Sequence, residues 1–336
     1  NEFLKRWRFF YNYQRSWKRG CLIPAAQPVK TAFVVINPVA GIVNAALLQR
    51  NIESRFKHKG WQTRFHLTAA GEDLKTIVQQ QILSGVDLVV AAGGDGTVAA
   101  VAAGMVHAPV PLGIIPTGTW NAIARNLMIP FSSTRAVNLM TGRHRIKQLD
   151  LMAIGETVHA MNLGIGFSSM MIENTARAEK RKFGSLAYFS QGFKQIFGLQ
   201  QRRYMIEVDG KRYRGRAAEI FVANYGMVGL NVIEASLDIK PDDGKVDVLI
   251  LRARNLFDLP GMFWQMFVQR KRRTPKYRQL SAAESLFIRT NPPAAVQADG
   301  ELIGKTPVTV QVLPRCVKVI VPLEPPLSFP LQPRRV

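Results

Sequence analysis

Three short loops in the first part of this 336-residue chain combine glycines with small polar side chains: Asn37-Pro38-Val39-Ala40-Gly41, Gly93-Gly94-Asp95-Gly96-Thr97 and Pro116-Thr117-Gly118-Thr119-Trp120-Asn121. The second says most. The apolar, β-branched run from Asp87 to Ala92 reads as a buried parallel strand that empties into the Gly-Gly-Asp-Gly-Thr turn. Ala and Val from Val98 to Met105 then suit a helix packed tightly on a sheet. A strand, a glycine turn and a helix N-terminus leave backbone N–H groups where phosphate oxygens reach them. Glycine is needed there because a Cβ blocks close approach and resists positive φ. Asp95 at the tip repels phosphate unless a divalent cation or a proton-transfer role offsets its charge. That combination points to metal-assisted phosphoryl transfer rather than simple anion binding.

The elements that position these loops follow from the pattern. Thr31–Ile36 and Leu112–Ile115 are apolar strands before the first and third loops, and Ala122–Leu127 looks helical after the third. Val43, Leu47, Leu48, Ile52 and Phe56 form a helical stripe, and Trp61, Thr63, Phe65 and Leu67 alternate as a half-buried strand. Leu74, Ile77, Val78 and Ile82 suit a second helix. Strand and helix alternate to about Gly142, which indicates a doubly wound, parallel α/β sheet. Ligands of such sheets lie beyond the carboxyl ends of the strands, so the three loops describe one site. After Asp150 short β-type runs dominate, at Thr157–Gly164, Tyr204–Val208, Ala218–Val222, Val246–Leu251, Glu284–Thr290 and Thr306–Leu313. Turns rich in Gly and Asp separate them, which suggests an antiparallel sandwich.

Composition narrows the class. The length exceeds what one core usually fills, and 47% hydrophobic residues exclude wholesale disorder. Cys21 and Cys316 are the only cysteines and the five His are scattered, so neither a disulfide framework nor a Cys-based zinc site is expected. A reducing, cytoplasmic setting follows. The uncharged stretch Gly96–Ala124 is long enough to span a membrane, but Pro109, Pro111 and Pro116 break it. Residues 1–30 carry too many cations for a signal peptide.

Net charge is +22, and the cations cluster. Lys5, Arg6, Arg8, Arg15, Lys18 and Arg19 are interleaved with Trp7, Phe9, Phe10, Tyr11 and Trp17, and Arg270-Lys271-Arg272-Arg273 follows Met262, Phe263, Trp264 and Phe267. Basic residues abutting Trp and Phe are suited to an anionic membrane surface, each cation adding on the order of 1 kcal/mol there. A solvated basic face is the plainer reading of the second cluster, and a nucleic-acid partner is the other class that such charge permits.

Together the motifs Asn37-Pro38-x-x-Gly41, Gly93-Gly94-Asp95-Gly96-Thr97 and Pro116-x-Gly118-Thr119-x-Asn121-x-x-Ala124-Arg125 resemble the diacylglycerol kinase catalytic-domain family, which is similar to sphingosine and ceramide kinases. The family shares Gly-Gly-Asp-Gly more distantly with NAD kinases and phosphofructokinases. Asn162-Leu163-Gly164-Ile165-Gly166-Phe167, the acidic turn Leu237–Val248 and Gln297-Ala298-Asp299-Gly300-Glu301 extend the likeness, so that it runs from about Lys30 to about Pro322. Asn224-Tyr225-Gly226-Met227-Val228-Gly229-Leu230 departs from it, with fewer glycines than the family's triple-Gly turn.

The resemblance implies an NAD kinase/diacylglycerol kinase-like nucleotide domain followed by an antiparallel β-sandwich. The expected organisation is a basic aromatic segment at 1–29, a nucleotide-binding domain at 30–150, a lipid-substrate domain at 151–323 and a tail at 324–336. ATP would sit on Asn37, Pro38, Gly41, Gly93, Gly94, Gly96, Thr97, Pro116, Gly118, Thr119, Asn121 and Arg125. Asp95 would hold Mg²⁺, with Asp238, Asp242 and Asp243 as a second candidate metal turn whose plainer reading is a solvated hairpin. Arg125 could instead cap a helix and pair with an acid. Asp299 would accept the proton of the lipid hydroxyl, assisted by Glu301, although Asp-Gly is by itself an ordinary hairpin turn. The implied activity is transfer of the γ-phosphate of ATP to a membrane lipid, diacylglycerol first, giving phosphatidic acid. Sphingoid bases, ceramide or another lipid alcohol are alternatives, and so is a soluble substrate of the NAD kinase kind. A basic binding protein on a degenerate kinase scaffold is the non-enzymatic alternative. Docking at the inner face of the membrane through the basic aromatic segments is expected, and a nucleic-acid partner is not.

Overall fold

The computed structural model describes residues 29–40, 44–180, 201–226, 239–254, 257, 258, 261, 264 and 274–323. The first basic aromatic segment, the cation run 270–273, Gly41, Asp238 and the tail lie outside them.

Strands β1 (Thr31–Ile36), β2 (Gln62–Leu67), β3 (Leu88–Gly93) and β4 (Leu112–Pro116) are parallel and stand in the order β2-β1-β3-β4. The unbroken apolar runs of β1, β3 and β4 reflect cover on both faces. Val34, Ile36, Leu88 and Val90 pack with Leu48, Ile52 and Phe56 of α1 (Ala45–His58) and with Val137 and Met140 of α5 (Ser133–Thr141). The alternate residues Phe33, Val35, Val89 and Ala91 pack with Leu74 and Val78 of α2 (Leu74–Leu83) and Val98 and Val101 of α3 (Asp95–Gly104). The sheet is thus doubly wound, as the alternating pattern predicts.

The second half is antiparallel. Strand β5 (Arg145–Ile154) pairs with β16 (Val308–Val321) and with β6 (Thr157–His159). The first residues of β16 pair with β13 (Ser285–Asn291), and its Val319 meets Leu112 of β4 in parallel. Through β16 the first sheet continues into β13, β8 (Arg202–Val208) and β9 (Lys211–Ala217), giving ten strands. A six-stranded sheet runs β12 (Tyr277–Ala282), β11 (Val246–Leu251), β10 (Glu219–Ala223), β7 (Asn162–Gly166), β14 (Ala295–Ala298), β15 (Glu301–Lys305). Its inner residues, among them Leu163, Ile220, Val248 and Val296, share a core with Ile206, Leu286, Ile288 and Val310 of the larger sheet. An α/β half is followed by a β-sandwich half, as expected.

Several bounds differ from the sequence pattern for identifiable reasons. The run Thr157–Gly164 is two strands, because the chain turns at Ala160 and Met161 to meet Asp299. The last run continues to Val321 because β16 serves both halves. Helix α3 begins at Asp95 itself, so this residue lies in the first helical turn rather than at a loop tip. Two short helices, α4 (Ala122–Asn126) and the start of α6 (Phe167–Lys180), complete the elements around the site.

Candidate active site

The three glycine loops meet at the carboxyl ends of β1, β3 and β4 and are knit together by their own atoms. The Asn37 backbone N–H donates to the Ala92 carbonyl at 3.0 Å, and its Nδ2 donates to Thr97 Oγ1 at 3.1 Å. Thr117 N–H donates to the Gly93 carbonyl at 3.0 Å. A Cβ on Gly118 would stand 2.5 Å from the Gly94 Cα and 3.0 Å from Asn121 Oδ1, so the second and third loops touch backbone to backbone. Asn121, buried and in the left-handed region at φ 48°, accepts from Gly118 N–H at 2.9 Å and donates to the Gly118 carbonyl at 2.6 Å. Its amide closes its own loop.

Helix α3 starts from Gly94 with no side-chain cap. Val98 N–H is the first to find an intrahelical acceptor, the Gly94 carbonyl at 3.0 Å. The N–H groups of Asp95, Gly96 and Thr97 therefore stand without helical partners beside an exposed Gly96, where the helix dipole favours an anion. This cradle fits the phosphates of a nucleotide. Asp95 Oδ1 accepts from Ile123 N–H at 2.9 Å and so caps α4. Its Oδ2 has no protein partner among the described residues, which suits one carboxylate contact to a hydrated Mg²⁺. No group of three His, Cys, Asp or Glu side chains able to hold a metal occurs among the described residues.

The hairpin between β14 and β15 supplies the second wall. Asp299 (φ 48°) and Gly300 (φ 90°) form its two-residue turn, as the hairpin reading requires. The Asp299 carboxylate is also fully engaged across the chain: Oδ1 accepts from Met161 and Asn162 N–H at 2.9 Å each, and Oδ2 accepts from Ala160 N–H at 2.8 Å. Burial alone would raise this carboxyl, but the neighbouring His159 (Nδ1 at 3.7 Å) and the three N–H groups outweigh it and hold it below the usual aspartate value. Gln297 steadies the same turn, donating to Asn162 Oδ1 at 3.2 Å and accepting from Gly300 N–H at 3.1 Å. Glu301, one residue past the turn, is exposed.

Tyr225 is 3% exposed and belongs to the core of the α/β half. Burial, then the charges of Asp299, Asp150 and Asp95, push its hydroxyl far up, so it stays a neutral donor. Asn224 beside it is fully buried and donates to the carbonyls of Asp150 (2.6 Å) and Ala160 (2.8 Å). Neither residue stands out in the sequence; the one signal is an Asn-Tyr pair placed directly after an apolar run where glycines are usual.

A buried carboxylate lies behind this wall. Glu219 on β10 accepts from both the N–H (3.0 Å) and the hydroxyl of Ser168 at the start of α6. Burial pushes it up to about 7, against the opposing hydrogen bonds from Ser168 and Phe167.

The other expected residues are placed as follows. Pro38 and Thr119 are exposed at the loops, and Pro116 ends β4. Arg125 neither caps a helix nor pairs with an acid among the described residues. Its Nε donates to the Trp120 carbonyl at 2.8 Å, and its guanidinium lies 4.7 Å from the Phe131 ring centroid. Asp242 pairs with Lys147 at 3.2 Å, and Asp243 Oδ1 accepts from Lys245 N–H at 3.1 Å, the geometry of an ion-paired turn. Asp150, buried beside that turn, accepts from Gly244 and Arg315 N–H and is raised by burial.

Comparison with known proteins gives two family matches in series. The "Diacylglycerol kinase catalytic domain" covers residues 31–154, and the "YegS C-terminal NAD kinase beta sandwich-like domain" covers residues 162–321. "Uncharacterized protein sll0036" of Synechocystis is 29% identical over 308 residues, 88% of this chain and 71% of that protein. "Putative lipid kinase SH2167" of Staphylococcus haemolyticus is 28% identical over 252 residues, 73% of this chain and 79% of that protein. A crystal structure described as "a putative diacylglycerol kinase from Bacillus anthracis str. Sterne" superposes with TM-score 0.70 at 22% identity, covering 87% of this chain and 97% of that one. At that identity the superposition speaks for the fold.

Proposed function

The chain belongs to the diacylglycerol kinase catalytic-domain family, and on that basis we propose that it is an ATP-dependent lipid kinase that phosphorylates the hydroxyl of a membrane lipid, diacylglycerol first, at the inner face of the membrane. One observation carries this reading: α3 starts uncapped, with Gly94 and Gly118 in backbone contact, so its first N–H groups are left for phosphate oxygens.

Phosphoryl transfer depends on positioning and charge neutralisation more than on covalent chemistry. The N–H groups of Asp95, Gly96 and Thr97 receive phosphate oxygens, and Asn37 fixes Thr97 from the first loop. When bound, ATP supplies the phosphoryl group, and Mg²⁺ offsets charge between that group and Asp95. Asp299 is spent on three N–H groups and held ionised, so it positions the hairpin. In this reading Glu301, exposed on the same hairpin, takes the proton from the lipid hydroxyl. Tyr225, raised by burial and by the nearby aspartates, remains protonated. No helix among the described residues is long and apolar enough to cross a membrane, so in this reading the lipid is reached from the surface.

The test is incubation of the full chain with γ-labelled ATP and Mg²⁺ against diacylglycerol, a sphingoid base, ceramide and NAD. Label on a lipid supports the proposal, and label on NAD alone overturns it.

A further inference from the structure

Strand β9 reads Lys-Arg-Tyr-Arg-Gly-Arg-Ala, too charged to look like a strand, and its cations meet others across the sheet. In register, Arg216 stands opposite Arg203 of β8, which stands opposite Asn291 of β13. Two residues along, Arg214 stands opposite Met205, which stands opposite Arg289. Residues two apart on a strand share a face, so four arginines and one methionine occupy two adjacent rows of one surface. Opposite the rows lies the core, where Tyr204, Ile206 and Ile288 are buried. The four arginines are exposed and, with Met205 and Asn291, line a concavity of about 500 Å³.

Like charges directly opposed across strands destabilise a sheet. The only carboxylate in the next row, Glu207, is taken by Arg212 at 2.8 Å. Among the described residues none of the four arginines meets a carboxylate. Protection of a sheet edge accounts for cations on β9, the last strand in the order, but not for Arg203 and Arg289 on the two strands inside it. Among the described residues no carboxylate offsets this repulsion, and a bound anion would relieve it. Arginine forks match phosphate oxygens in pairs. Tyr204 also lines the concavity but is buried from the other side of the sheet, so its ring offers no open stacking platform of the kind single-stranded nucleic-acid sites use. The apolar floor at Met205 and the volume suit a phosphate-bearing headgroup.

We propose that this four-arginine face binds the phosphate groups of anionic phospholipids and seats the enzyme on the membrane that holds its substrate. The choice of a lipid over another phosphate rests on the lipid-kinase reading; the binding itself requires no turnover.

The experiment is co-sedimentation of the full chain with phosphatidylcholine vesicles containing or lacking phosphatidylglycerol, without nucleotide, for wild type and for R203Q/R214Q/R216Q/R289Q. Each cation near an anionic leaflet is worth about fivefold in binding, so the variant is expected to lose on the order of several hundredfold on anionic vesicles. Its melting temperature should be unchanged or higher, because the opposed charges are gone. Its turnover of a short-chain, water-dispersed lipid alcohol should equal that of wild type. Vesicle binding undiminished in a folded variant overturns the proposal. Loss of binding to single-stranded RNA, or to free glycerol phosphate, with vesicle binding intact, overturns it in favour of those ligands. Should wild type phosphorylate no lipid yet show the predicted vesicle binding, the kinase reading fails and the docking face stands.

Discussion

Replacing Asp299 by Asn removes one acceptor atom from a carboxylate that takes three backbone N–H groups at 2.8–2.9 Å. The amide oxygen retains the two N–H groups of Met161 and Asn162 at best, and the amide NH₂ then faces the Ala160 N–H. Hydrogen bonds to a charged group contribute about 1.5–3 kcal/mol each, so losing one and neutralising two should cost about 2–4 kcal/mol. For a chain of this size that is a fall in melting temperature of roughly 3–6 °C. The sign with pH is fixed by the depressed carboxyl: its contribution is present above the ordinary aspartate value of 3.8 and is lost as pH falls through the folded value. Thermal unfolding of both proteins across acid pH should therefore show the wild-type advantage shrinking as pH falls, with the two curves converging. Equal melting temperatures at neutral pH, together with a large loss of turnover, would refute the clamp and return the proton-acceptor role to Asp299.

Other perturbations separate the parts of the site. Glu301→Gln should leave nucleotide affinity and melting within error of wild type while lowering turnover ~10²–10⁴-fold, the usual range for general-base loss; a loss under tenfold removes it from that role. Gly118→Ala forces a Cβ to within 2.5 Å of the Gly94 Cα. Overpacking of this kind costs about 1–3 kcal/mol, and calorimetry should show nucleotide affinity falling more than stability. Asp95→Asn keeps shape and the Ile123 contact but removes charge, so Mg²⁺-dependent turnover should collapse in a folded protein; near-normal turnover would dismiss the metal contact. Glu219, raised from 4.5 to about 7, disfavours the folded state as pH rises through that interval, by roughly 3 kcal/mol in all. Denaturant titrations from pH 5 to 8 should show this decline in wild type and its absence in Glu219→Gln.

The α/β half was largely legible because its parallel strands are buried on both faces and so write themselves as apolar runs ending in glycine. Thr31–Ile36 and Leu112–Ile115 fall on β1 and β4 almost to the residue. The second half was less so. Strand β9 was hidden because its outer positions are all cations and its inward face offers only Tyr213, Gly215 and the buried Ala217 after an exposed Lys211. Helix α6 was hidden behind the β-type run before it, since its start is set by Glu219, fifty residues away in the chain. The site residues were visible as types but not as roles. Asn121 and Arg125 brace their own loop through partners three and five residues away, where the motif suggested ligand contacts, and Asp299 grips a turn that only long-range packing brings to it. Tyr225 had no motif to announce it.

The most direct test of the central claim follows the label from ATP. Full-length protein with Mg²⁺ and diacylglycerol in mixed micelles is supplied with ATP labelled at the γ-phosphate or at the α-phosphate, and the organic phase is counted. The cradle at α3 predicts that γ-label enters the organic phase as phosphatidic acid, that α-label stays in water, and that Asp95→Asn abolishes the transfer. Organic-phase label from the α-phosphate, or none from either under conditions where the protein is folded and binds ATP, would contradict it.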